Sequence, residues 1–258
     1  MIAIAMGATD RLISERAFHD QQANLRTATF DLRPHELQFD DDAYLNHETW
    51  IRPAVEQLGE VSGLRVLDYG CGHAMAAVVL ARRGAHVTAF DLSGAYLVEA
   101  RRRAEANGVA INFVQADGER LPFADESFDR VWGNAILHHL NLELAARELR
   151  RVLRPGGIAV FCEPWGGNPL LRWARRQLRY AAKERTPDEE PLRWRHLRQL
   201  REVFPHGQAR GCQFLSMARR VLAPGRFVRW LDRSDEVLLA RAPALQRFCR
   251  YVVITLQP

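Results

Sequence analysis

The sequence is nearly without lysine. Lys183 is the only one, and arginine supplies the rest of its 36 basic residues. That bias reads first as codon preference and only second as function. Cysteine is scarce as well. Cys71, Cys162, Cys212 and Cys249 stand apart, with no CxxC pair and no metal-ligand spacing. This excludes a disulfide framework and suits a reducing, cytoplasmic compartment. Long apolar runs are missing: none reaches the about 20 residues of a membrane span. The apolar start, Met1 to Ala8, is short, follows no basic region and is closed by Asp10 and Arg11, so no secretory leader is expected. Internal repeats and low-complexity tracts are absent. The histidines and aspartates are not joined by metal-ligand spacing, so no metal is expected. Charge of one sign is in modest excess, net +5 over 258 residues. No separate RNA-binding module accompanies it, which argues against a nucleic-acid partner.

What is present describes a globular chain able to bury one good core, with 47% apolar and 26% charged residues. Residues 10–30 read as a polar helix and "TWIRPAVEQLGEV" as a short one. From Leu64 the pattern turns regular. "LRVLDY", "HVTAFD", "INFVQ", "FDRVWG" and "GIAVFCE" read as strands. "MAAVVLARR", "GAYLVEARRRAEANG" and "LELAARELRRVL" read as helices, stopped by Gly84, by Gly108 and ahead of Pro155. Strands alternating with helices predict a parallel sheet with helices on both faces. Later come "ARGCQFLS" as a strand, an apolar helix near Glu236–Phe248, and "YVVITL" as a last, antiparallel strand.

"VLDYGCGHA" finishes the first strand and at once uses two glycines, Gly70 and Gly72. In a parallel sheet, ligands lie at the carboxyl ends of strands where strand order reverses, so this turn is expected to touch a ligand. Asp91 stands at the end of the second strand, where a carboxylate can accept from a ribose diol. A dinucleotide would want a third glycine near Met75, and its pyrophosphate would gain nothing from Asp68. A cationic ligand with an amino-acid tail would.

At these residues the sequence resembles the class I S-adenosylmethionine-dependent methyltransferases. "VLDYGCGHA" is similar to the family's D-x-G-x-G-x-G, "AFDLS" to its acidic second-strand motif, "VQADGERLPFADESFDRVWGNAILHHL" to its third-strand, fourth-strand and loop motifs, and "LRPGGIAVFCEP" to its turn and fifth strand. One departure stands out: Ala74 occupies the place of the third glycine. The resemblance implies S-adenosylmethionine as cofactor. It places Asp68, Gly70, Cys71 and Gly72 at the methionine part. Asp91 and Leu92 would hold the ribose and flank the adenine, Asp117 and Gly118 would sit at the adenine amino group, and Asn134 would close the site. It also makes residues 1–62 a lid, where Tyr44 would meet the cofactor carboxylate and His19 and His47 are further polar candidates.

The acceptor is open. Candidate bases near the strand ends are His138, His139 and Glu163. Residues 164–205 hold ten basic and five acidic residues, with Trp165, Trp173, Tyr180 and Trp194 interleaved. Three readings stand for it: a solvated helical lid, a cover over an apolar or anionic acceptor, or a surface for peripheral membrane contact or RNA. The expected architecture is one α/β domain with a seven-stranded, mostly parallel, Rossmann-like sheet: lid 1–62, cofactor core 63–163, inserted lid 164–205, and 206–258 completing the sheet. The expected function is methyl transfer to a small-molecule or lipid-like acceptor. RNA or protein methylation, and cofactor binding without catalysis as a sensor or partner subunit, are the alternatives. Oligomeric state is not legible.

Overall fold

A computed structural model of the chain describes residues 8–29, 33–169, 171, 173, 190–220, 222, 223 and 225–258. The helices are α1 (Ala8–Thr29), α2 (Pro34–Leu37), α3 (Asp41–Leu45), α4 (Ile51–Glu56), α5 (Met75–Arg82), α6 (Gly94–Ala106), α7 (Leu142–Val152), α8 (Trp194–Val203) and α9 (Arg226–Arg241). The strands are β1 (Arg65–Tyr69), β2 (His86–Asp91), β3 (Asn112–Gln115), β4 (Phe128–Asn134), β5 (Leu153–Pro164), β6 (Gln208–Cys212) and β7 (Tyr251–Leu256). They form one sheet in the order β3-β2-β1-β4-β5-β7-β6. Only β7 runs antiparallel, pairing with both β5 and β6. The α/β, seven-stranded expectation therefore holds, including the direction of the last strand.

Strand alternation explains the two core layers. Val66, Trp132, Val160, Cys162 and Val253 face one side, packing with Ala54, Val55, Ala77 and Leu80 of α4 and α5. Their neighbours Leu67, Val131, Ala159, Phe161, Val252 and Ile254 face the other, packing with Leu149 of α7 and Leu197 and Leu200 of α8. Both faces of each central strand are buried, so these strands read as near-continuous apolar runs.

Two expectations are corrected. Residues 164–205 are not wholly an inserted lid. Their last part is α8, the helix that joins β5 to β6, two strands that run in the same direction. A connection between such strands needs a crossover helix. Leu197 and Leu200, three apart, supply its buried face, while Trp165 is buried in the same layer and donates from Nε1 to the Arg247 carbonyl. The arginine-rich run at 174–189 lies outside the described residues. The late apolar helix begins ten residues earlier than expected, at Arg226, and ends at Arg241. Pro243 then opens a separate 3-10 turn, Pro243–Phe248.

Strand order reverses between β1 and β4. The turn after β1 and the loop after β4 flank the crevice where a doubly wound sheet takes its ligand.

Candidate active site

The two glycines after β1 are there for different reasons. Gly70 has φ 73°, and a Cβ there would meet the Ile136 side chain at 2.6 Å. Gly72 has φ 50°, and a Cβ there would meet no protein atom within 4 Å. The first is glycine because the loop after β4 packs on it. The second keeps side-chain bulk out of an open cradle. Ala74 also adopts the left-handed conformation, at φ 63°, where it caps α5.

Asp91 ends β2 and fixes the turn. Its Oδ2 accepts from the Gly72 amide at 2.8 Å and its Oδ1 from the Ser93 amide at 2.9 Å. Burial raises its pKa above the ordinary carboxylate value, against the opposing pull of these two amides and of His19. Asp68, one strand over, is buried, and its Oδ2 has no hydrogen-bond partner. Burial pushes its carboxyl up to about 7, opposed by the Ala77 amide near the start of α5 and reinforced by the negative Asp91.

Around this turn lies a cavity of about 350 Å³. The sheet side supplies Gly70, Gly72, Phe90, Asp91, Leu92, Asp117, Gly118 and Asn134, and the loop after β4 supplies Ile136, His139 and Leu140. Helix α1 forms the opposite wall with Arg11, Leu12, Glu15, His19 and Gln22. Three polar anchors hold α1 there. Arg11 donates to the His139 carbonyl at 2.8 Å and pairs with Glu119. Ser93 Oγ bonds Asp20 at 2.5 Å, and Arg26 reaches the buried Glu99 at 3.2 Å.

Nine of the expected residues thus share one cavity: His19, Gly70, Gly72, Asp91, Leu92, Asp117, Gly118, Asn134 and His139. The others stand outside its wall. Tyr44 is a core residue, its hydroxyl accepting from Trp132 Nε1 at 3.1 Å. Cys71 is tied through its backbone amide to the Phe90 carbonyl at 2.8 Å, and burial pushes its thiol well above the ordinary value. Glu163, fully buried at the end of β5, is a loop anchor. Its Oε1 accepts from the Ile136 and Leu137 amides at 2.9 and 2.8 Å, and its Oε2 bonds His138 Nδ1 at 2.7 Å. Of the histidine pair, His139 therefore faces the cavity and His138 is clamped behind it.

Glu15, His73 and Tyr96 were not singled out from the sequence, yet all three line the cavity. Burial, then Arg26 and Arg103, drive the His73 imidazole down to about 3, so it lines the wall as a neutral ring. His19 goes the other way. Burial disfavours its charge, but its contact with Glu15 and the negative Asp91 and Glu15 prevail and raise it.

A family model described as "Methyltransferase domain" matches residues 67–161, the stretch from β1 to β5 that builds the sheet side of this cavity. Residues 67–161 therefore form a methyltransferase domain. Among its relatives, Methyltransferase GfsG of Streptomyces halstedii is 35% identical over 149 residues, 54% of each chain. A Fatty-acid O-methyltransferase of Mycolicibacterium smegmatis is 31% identical over 178 residues, 67% of this chain and 60% of that one. The chain spans about half the length of the curated relatives it matches, 54%, 38% and 46% for the first three. Among solved structures, the [4+2]-cyclase SpnF shares the fold at 24% identity, with a TM-score of 0.54 over 80% of this chain and 79% of that one.

Proposed function

We propose that this methyltransferase-family protein transfers a methyl group from S-adenosylmethionine to a small-molecule or lipid-like acceptor. The observation that carries the reading is the cavity at the strand-order switch, with Gly72 open, Asp91 at the next strand end and Asp117 at the one after. The residues suit an adenosyl amino acid. Asp91 keeps acceptor capacity for a ribose diol beyond the two amides it holds, Asp117 and Gly118 provide polar contact at the base end, and Phe90, Leu92 and Leu140 provide apolar walls. The unpartnered buried oxygen of Asp68 suits a ligand that carries positive charge. When bound, S-adenosylmethionine supplies a methyl group already activated on a sulfonium.

The chain's remaining task is orientation and exclusion of water, which can supply most of such a rate. Helix α1 covers the cavity, and its anchors Arg11, Asp20 and Arg26 hold that cover in place. Glu163 fixes the loop after β4 through two amides and His138. That pairing makes Nδ1 the protonated nitrogen of His138. His139, on the wall itself, is the residue we assign to touch bound ligand. Residues 1–62 act in this reading as a lid and the remainder as one domain. In this reading the protein works in the cytoplasm, a reducing compartment that suits its four unpaired cysteines. A fatty-acid-type acceptor is the first to try, given the relative named for that substrate. The fold alone does not decide the reaction, since a cyclase shares it.

The test is titration with S-adenosylhomocysteine and with NAD, followed by turnover of methyl-labelled S-adenosylmethionine with fatty acids and cell extracts. Acceptor-dependent label transfer is expected. Tighter NAD binding would overturn the cofactor reading, and binding without transfer to any acceptor would favour a non-catalytic role.

A further inference from the structure

Helix α1 does more than cover the cavity. Glu15 and His19 are four residues apart, so the helix sets both on one face. That face meets His139, at the end of the 3-10 turn Leu137–His139 after β4. Glu15 Oε2 lies 3.3 Å from His139 Nδ1 and 3.4 Å from His19 Nε2. The three donor atoms all lie within 4.8 Å of one another. We propose that Glu15, His19 and His139 form a binding site for one divalent transition-metal ion, of the zinc type, that clips α1 to the core.

The distances favour this over a plain ion pair. Charge-assisted N–H···O⁻ bonds close to about 2.7–2.9 Å, and both contacts are longer. Zinc binds nitrogen at about 2.0–2.1 Å and oxygen at about 2.0–2.2 Å in tetrahedral geometry, which sets ligand atoms about 3.4 Å apart. Two edges of the triangle already have that length, and the third is within 4.8 Å. The donor chemistry points the same way. Two imidazoles and one carboxylate suit zinc, nickel, cobalt or ferrous iron, whereas magnesium and calcium demand oxygen. Gln22, one turn further along α1, lines the same cavity. The charge balance is favourable too, because Glu15 and the nearby Asp91 offset the ion and the Arg11 guanidinium.

All three residues lie on the cavity wall. Three protein ligands leave a fourth position open, and here it faces the cavity, where water or an oxygen of a bound ligand can complete the shell. The ion joins a segment at the start of the chain to the loop after β4, so metal and lid closure are coupled. The site needs no assumption about the methyl acceptor.

The experiment uses the full chain, without an affinity tag and stripped with chelator. Cobalt(II) is titrated and followed by its visible ligand-field absorption, with zinc as competitor. One saturating equivalent, displaced by zinc, is expected. His19→Gln and His139→Ala should each weaken binding at least tenfold, while His206→Ala, outside the cluster, should leave it unchanged. His19→Gln is the safer variant, since His19 is the most exposed of the three and is least needed for folding; circular dichroism confirms the fold in each case. Metal should also slow proteolysis of α1 in the wild type and not in His19→Gln. Absence of saturable binding by the folded wild type, or equal affinity in both cluster variants and the wild type, would overturn the site.

Discussion

Asp68→Asn is the most informative single substitution. The carboxyl is buried under the turn after β1, and burial moves it from 3.8 to about 7. Its folded value is thus above its unfolded one. Between those limits the native state holds a proton that the unfolded chain has released, so stability falls as pH rises across the window. Three pH units correspond to about 4 kcal/mol, fully expressed above pH 7. Asparagine never ionises, so the variant escapes that cost. It brings one of its own: an NH₂ group where Asp68 Oδ2 has no partner, worth about 1–3 kcal/mol if left unsatisfied. The variant should therefore be about 1–3 kcal/mol more stable than wild type at pH 8, and equal or weaker at pH 5. Urea unfolding of both proteins at unit steps from pH 5 to pH 8 measures this. A wild-type minus variant difference that stays constant over the range would mean that Asp68 is already ionised at pH 5, and the reasoning would fail. The same carboxyl should respond to the cofactor. A cationic ligand favours ionised Asp68, so binding of S-adenosylmethionine near pH 6 should release a proton. Calorimetry in two buffers of different ionisation enthalpy detects that release, which Asp68→Asn should abolish.

Asp91→Ala should weaken S-adenosylhomocysteine binding roughly tenfold to a hundredfold, the about 1.5–3 kcal/mol of a charge-assisted bond, with the far-ultraviolet dichroism preserved; an unchanged isotherm would remove Asp91 from the ribose. Gly70→Ala combines a left-handed backbone, about 1–2 kcal/mol, with overlap onto Ile136, about 1–3 kcal/mol. It should lose about 2–5 kcal/mol in denaturant titration, and a variant as stable as wild type would show that the loop after β4 moves freely. Ala74→Gly should be nearly silent, within about 0.5 kcal/mol by the same titration. It relieves a similar backbone strain but gives up the burial of a methyl, about 0.8 kcal/mol, and adds unfolded-chain entropy, about 0.4–1 kcal/mol; a gain above about 1.5 kcal/mol would contradict that balance.

That near-cancellation accounts for an alanine where the family pattern has glycine, and it illustrates why the core of this protein was legible. Along β1 to β5 each residue type answers a local demand. Val66 and Leu67 face opposite layers, Gly70 and Gly72 meet φ angles that side chains resist, and Asp91 sits where β2 ends. Local demands are written in local sequence. The crossover helix was misread for a related reason. Between Pro164 and Pro205 charge dominates the stretch as a whole, whereas Leu197 and Leu200 mark one face of α8 and the arginines Arg195, Arg198 and Arg201 occupy the others. Periodicity of 3.6, together with the need for a helix between two strands of the same direction, carries that information.

The wall made by α1 belongs to a different order of problem. Its apolar periodicity is weak because its inward face is polar: Arg11, Glu15, His19 and Gln22 meet a ligand cavity and not a core. A pattern search tuned to buried leucines passes over such a helix. The spacing of Glu15 and His19 was visible as a shared helical face, but two donors on one turn are an ordinary ion pair until a third arrives. His139 arrives from the loop after β4, placed there because Glu163 fixes the Ile136 and Leu137 amides and turns His138 inward, leaving the next side chain to face the cavity. The adjacency of two histidines, which looked in sequence like a choice between equivalent bases, is resolved by a buried carboxylate one strand away into two separate tasks: His138 steadies the loop, and His139 meets whatever α1 and the cavity hold.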